Sequence, residues 1–361
     1  MIKLFFPNID DSEIEATIKT LKSGFWASGA GVGNVKKFEN KFKKYTNASE
    51  CVAVDSGTAA LDLALKVLDI NKKEVLVPSL TFVSSVHAIK YNGGIPIFVD
   101  IKPDTLCMDP KDLENKITNK SKVILPVHFG GYSCDMNTIK KISKKNKLLV
   151  VEDAAHATGS KYKNKKIGSI GDLTCFSFHP VKNLAMPKGG AITLNYKNRN
   201  LKNKLSSLRW CGISNRKEQF YDVTELGYNY YMDEISAAIG IEQLKKINKF
   251  NTRRYEIAKK YDKEIKCLEK IPLNKECSYH LYWILVKNRN IFLKNMKKKG
   301  IETGIHYLPV HKMKLYKSKT KLPITEKITK EIVTIPIHPM LTNNDVNFII
   351  KNINNYCEKI E

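Results

Sequence analysis

Arginine is scarce in this chain. Of its 61 basic residues only six are arginines (Arg199, Arg209, Arg216, Arg253, Arg254 and Arg289), leaving 55 lysines. A functional lysine therefore cannot be recognised by residue type alone, and few guanidinium forks are on hand to grip a carboxylate. The eight cysteines are scattered with no C-x-x-C pair. That spacing indicates neither a zinc site nor a disulfide framework, and thiols inside apolar runs read as small, reduced core residues. No apolar run approaches the roughly 20 residues needed to cross a bilayer. The opening MIKLFFPNIDDSEIEA turns acidic too early for a secretory signal, so the expected location is the cytoplasm. Internal repeats and low-complexity linkers are missing too.

The net charge of +25 suggests nucleic acid as a partner. The lysines, however, lie in short groups along the chain (KKFENKFKK, KKISKKNK, KNMKKKG), the pattern of solvated helix faces. With no helix-turn-helix, zinc finger or aromatic–basic motif, neither nucleic acid nor membrane is the expected partner. A basic surface can instead steer an anionic substrate such as a nucleotide diphosphate. The length of 361 residues, 42% hydrophobic and 27% charged, fits a globular enzyme with a large core.

The informative stretch runs from Val150 to Asn195. One apolar run (Leu148 to Val151) delivers Asp153 at its end. A second (Leu173 to Phe178) delivers Ser177, with Lys182 and Asn183 just beyond, and Gly189-Gly190 leads into a third, AITL. Buried strands ending in polar residues are where open α/β sheets bind ligands. An amine and an acid in this setting point to pyridoxal 5'-phosphate (PLP) chemistry. Lys182 would form an imine with the cofactor aldehyde, Asp153 would keep the pyridine nitrogen protonated, and Ser177 would hold the phosphate.

Upstream, CVAVDSGTAALDLALKVL reads as a short strand, a tight turn and a helix. Free N–H groups at such a helix start form an anion cup, and Gly57, followed by Thr58, lets the backbone approach the anion closely. By contrast, Gly29, Gly31 and Gly33 follow no strand, so they are not a dinucleotide fingerprint. Alternating strands and helices up to residue 245 predict an α/β domain with a mainly parallel sheet between helices. From Asp233 a long helix is expected, and residues 246–361 then change rhythm to a small α+β domain.

These segments resemble the DegT/DnrJ/StrS family of sugar aminotransferases over nearly the whole chain. SFHPVKN with GGA is similar to its lysine segment, EDAAHATG to its acid segment, and DSGTAAL to its N-S-G-T-A-A-L, with Asp55 for the asparagine. The resemblance implies the fold-type I PLP architecture, with Lys182 and Asp153 as the catalytic pair. Phe82 falls where the family stacks an aromatic ring on the cofactor, and GYNYYMDEISAAIG places Asn229 where an asparagine reaches the neighbouring subunit's cofactor phosphate. A homodimer with shared active sites follows. Tyr231 stands where an arginine is common, which leaves the donor's carboxylate in want of a partner, with Arg209 a candidate.

His156 reads either as a neighbour of the cofactor ring or as packing, and His179 as facing substrate or core. His306 and Tyr307 read as lining the substrate cleft or as structural, and His128 as packing. The implied reaction moves an amino group from L-glutamate or L-glutamine to a keto sugar, most simply a nucleotide-linked 3- or 4-keto-deoxysugar for amino-sugar and polysaccharide synthesis. A sugar dehydratase of the same family, which has histidine at the lysine position, and a non-catalytic regulator are the alternatives. Lys182 argues against the first.

Overall fold

The structure is a computed structural model that describes residues 1–196, 200–266 and 268–358. Arg199 and Cys267 lie outside them. Seven short strands carry the fold: β1 (Glu50–Val54), β2 (Glu74–Pro78), β3 (Ile95–Val99), β4 (Ser121–Ile124), β5 (Leu149–Asp153), β6 (Leu173–Ser177) and β7 (Gly190–Leu194). They form one sheet in the order β1-β7-β6-β5-β4-β2-β3, in which only β7 runs antiparallel to its neighbours. The expectation of a mainly parallel sheet holds.

Side chains alternate across these strands, and that alternation builds two cores. Val52 and Val54 of β1, with Val151 of β5, pack towards α3 (Gly57–Val67), α4 (Ser84–Tyr91) and α7 (Asn200–Leu208). Cys51, Ala53 and Val150 face the other side, where α2 (Gly33–Thr46), α6 (Met136–Lys145) and α8 (Glu234–Glu264) contribute Phe38, Phe42, Ile139 and Ile247. Helices on both faces bury the strands on both sides, which is why these segments are continuous apolar runs.

The helix starts follow the expected cap chemistry. Asp10 closes a capping box on α1 (Asp11–Lys22), Ser56 Oγ accepts from the Ala59 N–H at 3.1 Å, and Asp233 Oδ1 accepts from the Ser236 N–H at 2.6 Å. The glycines near residue 30 serve packing. A β-carbon on Gly31, at φ +64°, would lie 1.9 Å from Arg209 Nη2.

Between residues 208 and 233 a hairpin of β8 (Ile213–Lys217) and β9 (Phe220–Val223) projects from the body. Beyond it α8 runs unbroken for 31 residues, through the domain boundary expected at residue 245. The C-terminal part joins β10 (Tyr282–Leu285) and β11 (Ile332–Ile335) in an antiparallel pair, covered by α9 (Arg289–Lys298) and α11 (Asn343–Cys357). Thr342 caps α11 in a reciprocal capping box with Asp345. Among the described residues six cysteines are free thiols, five of them buried, but Cys357 is disulfide-bonded. Disulfide partners are fixed by Cβ proximity in the fold, which spacing in the sequence does not reveal.

Candidate active site

The carboxyl ends of β1, β5 and β6 converge on a cavity of about 400 Å³. Gly190 explains the convergence. It pairs with Val54 on one side and Ser177 on the other, so the first residue of β7 lies between the last residues of β1 and β6. A β-carbon there would fall 2.3 Å from the Ser56 carbonyl oxygen, so only glycine lets the three strand ends close up. Gly57 repeats the constraint at the start of α3, where a β-carbon would sit 2.7 Å from Ser177 Cβ. The helix N-terminus and the Ser177 hydroxyl thus share one concave wall, with Thr58 beside them.

Asp153 ends β5 and faces this cavity. Its Oδ2 accepts from the Ser85 hydroxyl at 2.7 Å and its Oδ1 from the Ala155 N–H at 3.1 Å. Burial pushes its pKa up, against the pull of those two donors and of Lys182. Lys182 lies on the turn after β6, and its neighbour Asn183 anchors that turn by donating to Ser278 O at 2.8 Å and Asn251 Oδ1 at 3.0 Å. Burial brings the Lys182 ammonium down to about 8, while Asp153 opposes the change.

Imidazoles surround the amine. Lys182 Nζ is 3.3 Å from His280 Nε2, and the His280 ring lies 4.5 Å from that of His156 and 5.5 Å from that of Phe5. His156 Nδ1 accepts from the Gly130 N–H, so its Nε2 carries the proton and donates to the Tyr307 hydroxyl at 3.0 Å. His306 is tied to Thr334 Oγ1 at 2.7 Å. Burial first, then the charge of Lys182, drives His156 and His280 well below the usual imidazole range and His306 to about 4. These rings are neutral at pH 7. His179, on the same turn as Lys182, is lowered by the same two causes.

The structure therefore brings Gly57, Thr58, Phe82, Asp153, His156 and Ser177 to one cavity, together with His179, Lys182, His306 and Tyr307. Phe82 is 56% exposed, with its ring free towards the cavity and 5.8 Å from that of Tyr307. Asn229 is not among the lining residues. It is exposed, and its backbone pairs with Trp210 beside the projecting hairpin.

Arg209 is a correction. Its guanidinium is buried and bonded through Nη1 to Glu39 Oε1 at 2.6 Å and to Ala53 O at 2.8 Å, so it is not placed to meet a donor carboxylate. His128, also buried, bonds Glu152 at 2.8 Å and packs beneath β5, as read. Ser85 and His280 were not singled out from the sequence. Each lies in a segment that the resemblance covered, but only the fold brings them to Asp153 and Lys182.

An amine titrating near neutrality, an acid, an anion-binding helix start and an accessible aromatic ring together fit PLP, and the class is that of a fold-type I PLP enzyme. Residues 7–354 match the DegT/DnrJ/EryC1/StrS aminotransferase family, and the chain belongs to it. It is 38% identical to the GDP-perosamine synthase of Escherichia coli O157:H7, over 98% of both chains. To the dTDP-3-amino-3,6-dideoxy-alpha-D-galactopyranose transaminase of Aneurinibacillus thermoaerophilus it is 38% identical, over 95% of this chain and 94% of that one. The spore coat polysaccharide biosynthesis protein SpsC of Bacillus subtilis is 35% identical, over 96% and 94%.

Among solved structures, a Streptococcus pneumoniae chain in its PLP form superposes with a TM-score of 0.94 at 30% identity, over 100% of this chain and 99% of that one. Helicobacter pylori PseC, an aminotransferase of pseudoaminic acid biosynthesis, gives a TM-score of 0.94 at 27% identity, over 99% of both. The chain is thus a PLP-dependent sugar aminotransferase. No helix among the described residues is long and apolar enough to cross a membrane.

Proposed function

We propose that this enzyme transfers the amino group of L-glutamate or L-glutamine to a nucleotide-linked 3- or 4-keto-deoxysugar, as a cytoplasmic homodimer in amino-sugar or polysaccharide synthesis. One observation carries the chemistry. Lys182, lowered to about 8, faces the same cavity as Asp153 at the end of β5. PLP, when bound, supplies an electron sink for the bonds of the donor's α-carbon.

The side chains do the rest. Lys182 is the amine that would hold the cofactor, and the same side chain would serve as the base that takes the donor's α-proton and the acid that returns it. A lysine near 8 is suited to both duties, because about a tenth of it is unprotonated at pH 7, far more than for a lysine at the ordinary 10.5. Asp153 would pair with the cofactor's pyridine nitrogen and keep it protonated. Burial raises the pKa of that carboxyl, and the Ser85 and Ala155 donors oppose the rise by favouring its ionised form. The start of α3 at Gly57 and Thr58, with Ser177, would receive the phosphate, and Phe82 would stack on the ring. His156 would sit beside the cofactor ring, and His179, His306 and Tyr307 line the side proposed to be open to substrate, where neutral rings and a hydroxyl suit sugar hydroxyl groups better than charges would. The GDP- and dTDP-sugar relatives support a nucleotide-linked acceptor. Asn229, exposed and outside its own chain's cavity, is proposed to complete the site of a partner subunit.

The test is the visible absorption spectrum of the purified protein with L-glutamate, L-glutamine and a Lys182→Ala control. A band near the visible edge that either donor bleaches, and that the variant lacks, supports the reading. A band that neither donor bleaches would overturn the choice of donor. Absence of any band after incubation with PLP would overturn the reading as a whole.

A further inference from the structure

Beside the proposed phosphate wall, Lys188 Nζ lies 2.7 Å from Asp55 Oδ2. Both side chains line the cavity, and Asp55 immediately precedes the Ser56–Gly57–Thr58 turn. Asp55 is held on that side, since its Oδ1 also accepts from the Ser56 hydroxyl at 3.0 Å and its backbone N–H donates to Tyr230 O at 2.8 Å. An acid at the lip of a phosphate cup is electrostatically adverse, because a dianion bound at the start of α3 meets a second negative charge close by.

The positive charges available to offset it are few. The lining residues include no arginine, and their lysines are Lys182 and Lys188. Lys182 faces Asp153 and is committed to the cofactor carbonyl. His156 and His306 are neutral at pH 7. Lys188 is left as the one lining side chain with a full positive charge free to meet a phosphate. Its side chain is 64% exposed against 15% for Asp55, so the acid is the fixed member of the pair and the lysine the mobile one. An ion pair this open is worth little, and the ammonium can turn from Asp55 towards a bound anion at small cost.

We propose that Lys188 is a phosphate-binding residue of the cofactor site, held there by Asp55, so that the pair offsets the acid that the SGT turn would otherwise present to the cofactor phosphate. The proposal rests on the reading of this cavity as a PLP site.

The test compares binding of PLP and of pyridoxal, which lacks the phosphate, to the apo-protein by absorbance and fluorescence titration. The proteins are the wild type, Lys188→Met, Lys188→Arg, Asp55→Asn and the double variant Asp55→Asn/Lys188→Met. PLP binding by the wild type checks the underlying reading; its failure there would sink that reading separately. Given wild-type binding, Lys188→Met is expected to weaken PLP affinity about tenfold, the scale of one charge-assisted contact. Pyridoxal affinity is expected to stay unchanged. Lys188→Arg should retain the affinity, and the double variant should recover part of the loss because the adverse acid goes with its partner. Equal PLP affinity in the wild type and Lys188→Met would overturn the proposal. So would an equal loss for PLP and pyridoxal. A raised KM for the nucleotide sugar or the amino donor with unchanged PLP affinity would also overturn it, assigning Lys188 to a substrate anion instead. Lys188 is exposed, so its substitution leaves the core untouched, and circular dichroism of each variant checks that it folds.

Discussion

Lys182 Nζ and His280 Nε2 face each other at 3.3 Å across 98 residues of sequence, which makes a histidine of the C-terminal part the nearest polar partner of the reactive amine. Burial holds His280 neutral, so its ring can accept a hydrogen bond from the ammonium and aim Nζ into the cavity. His280 is thus a positioning residue. His280→Leu is expected to lower kcat by about tenfold to a hundredfold, no more than the low end of what a direct proton-transfer group contributes, because His280 acts through Lys182, with KM for the sugar little changed. Losing the acceptor also destabilises the ammonium form, so the acid limb of cofactor capture should move to lower pH. His280→Gln, which keeps an acceptor, should restore part of the rate. A purely structural role would lower the melting temperature and leave the pH profile in place.

Cofactor capture by the apo-protein should itself report the pKa of Lys182. The amine attacks only after losing its proton, so with a value of about 8 the rate should climb about tenfold per pH unit below pH 8 and level off above it. An ordinary lysine would keep the rate rising towards pH 10. The sign for stability follows from the same shift. Between about 8 and the ordinary value of 10.5 the unfolded chain holds a proton that the folded chain has released. This group therefore makes the apo-protein more stable as pH rises through that window and least so below it. Stopped-flow absorbance across pH 6.5–10 is the measurement, and a rate still climbing at the top of the range would refute the depressed pKa.

Arg209 separates what the sequence made legible from what it hid. Asp153, Ser177 and Lys182 were readable because each follows an apolar run, and a strand's end is a local property that also decides where ligands bind. The phosphate wall was readable for the same reason, since strand, glycine turn and helix are contiguous. Arg209 had no such context. Its partners Glu39 and Ala53 come from α2 and β1, more than 150 residues away, and only packing shows that the guanidinium is already taken. Ser85 and His280 were missed for the converse reason, as polar residues in apolar segments whose targets lie on other elements. Arg209→Met should accordingly leave KM for the amino donor unchanged. It should destabilise the protein by about 3–5 kcal/mol, because the buried Glu39 carboxylate loses its ion-pair partner and keeps only the Ala53 N–H as a donor among the described residues. Chemical denaturation beside donor kinetics distinguishes the two roles, and a raised donor KM at unchanged stability would restore Arg209 as a substrate contact.

Asn229 makes the sharpest demand on assembly, because its proposed partner is the cofactor phosphate of another subunit. The residue is exposed, absent from the lining of its own cavity, and next to a hairpin that presents Phe220, Tyr221 and Leu226 to solvent. Two variants, Lys182→Ala and Asn229→Ala, are each expected to be inactive or nearly so as pure dimers. Mixed and allowed to exchange subunits, they should regain activity. A mixed dimer with shared sites carries one cavity in which both Lys182 and the partner's Asn229 are intact. Random exchange puts about half the molecules in mixed dimers with one good site of two, so about a quarter of wild-type activity should return. If each Asn229 served its own chain, a mixed dimer would hold one site without its lysine and one without its asparagine, and nothing would return. Sedimentation of each variant before mixing checks that both are dimers, so that failure to complement reflects the wiring of the site rather than loss of assembly.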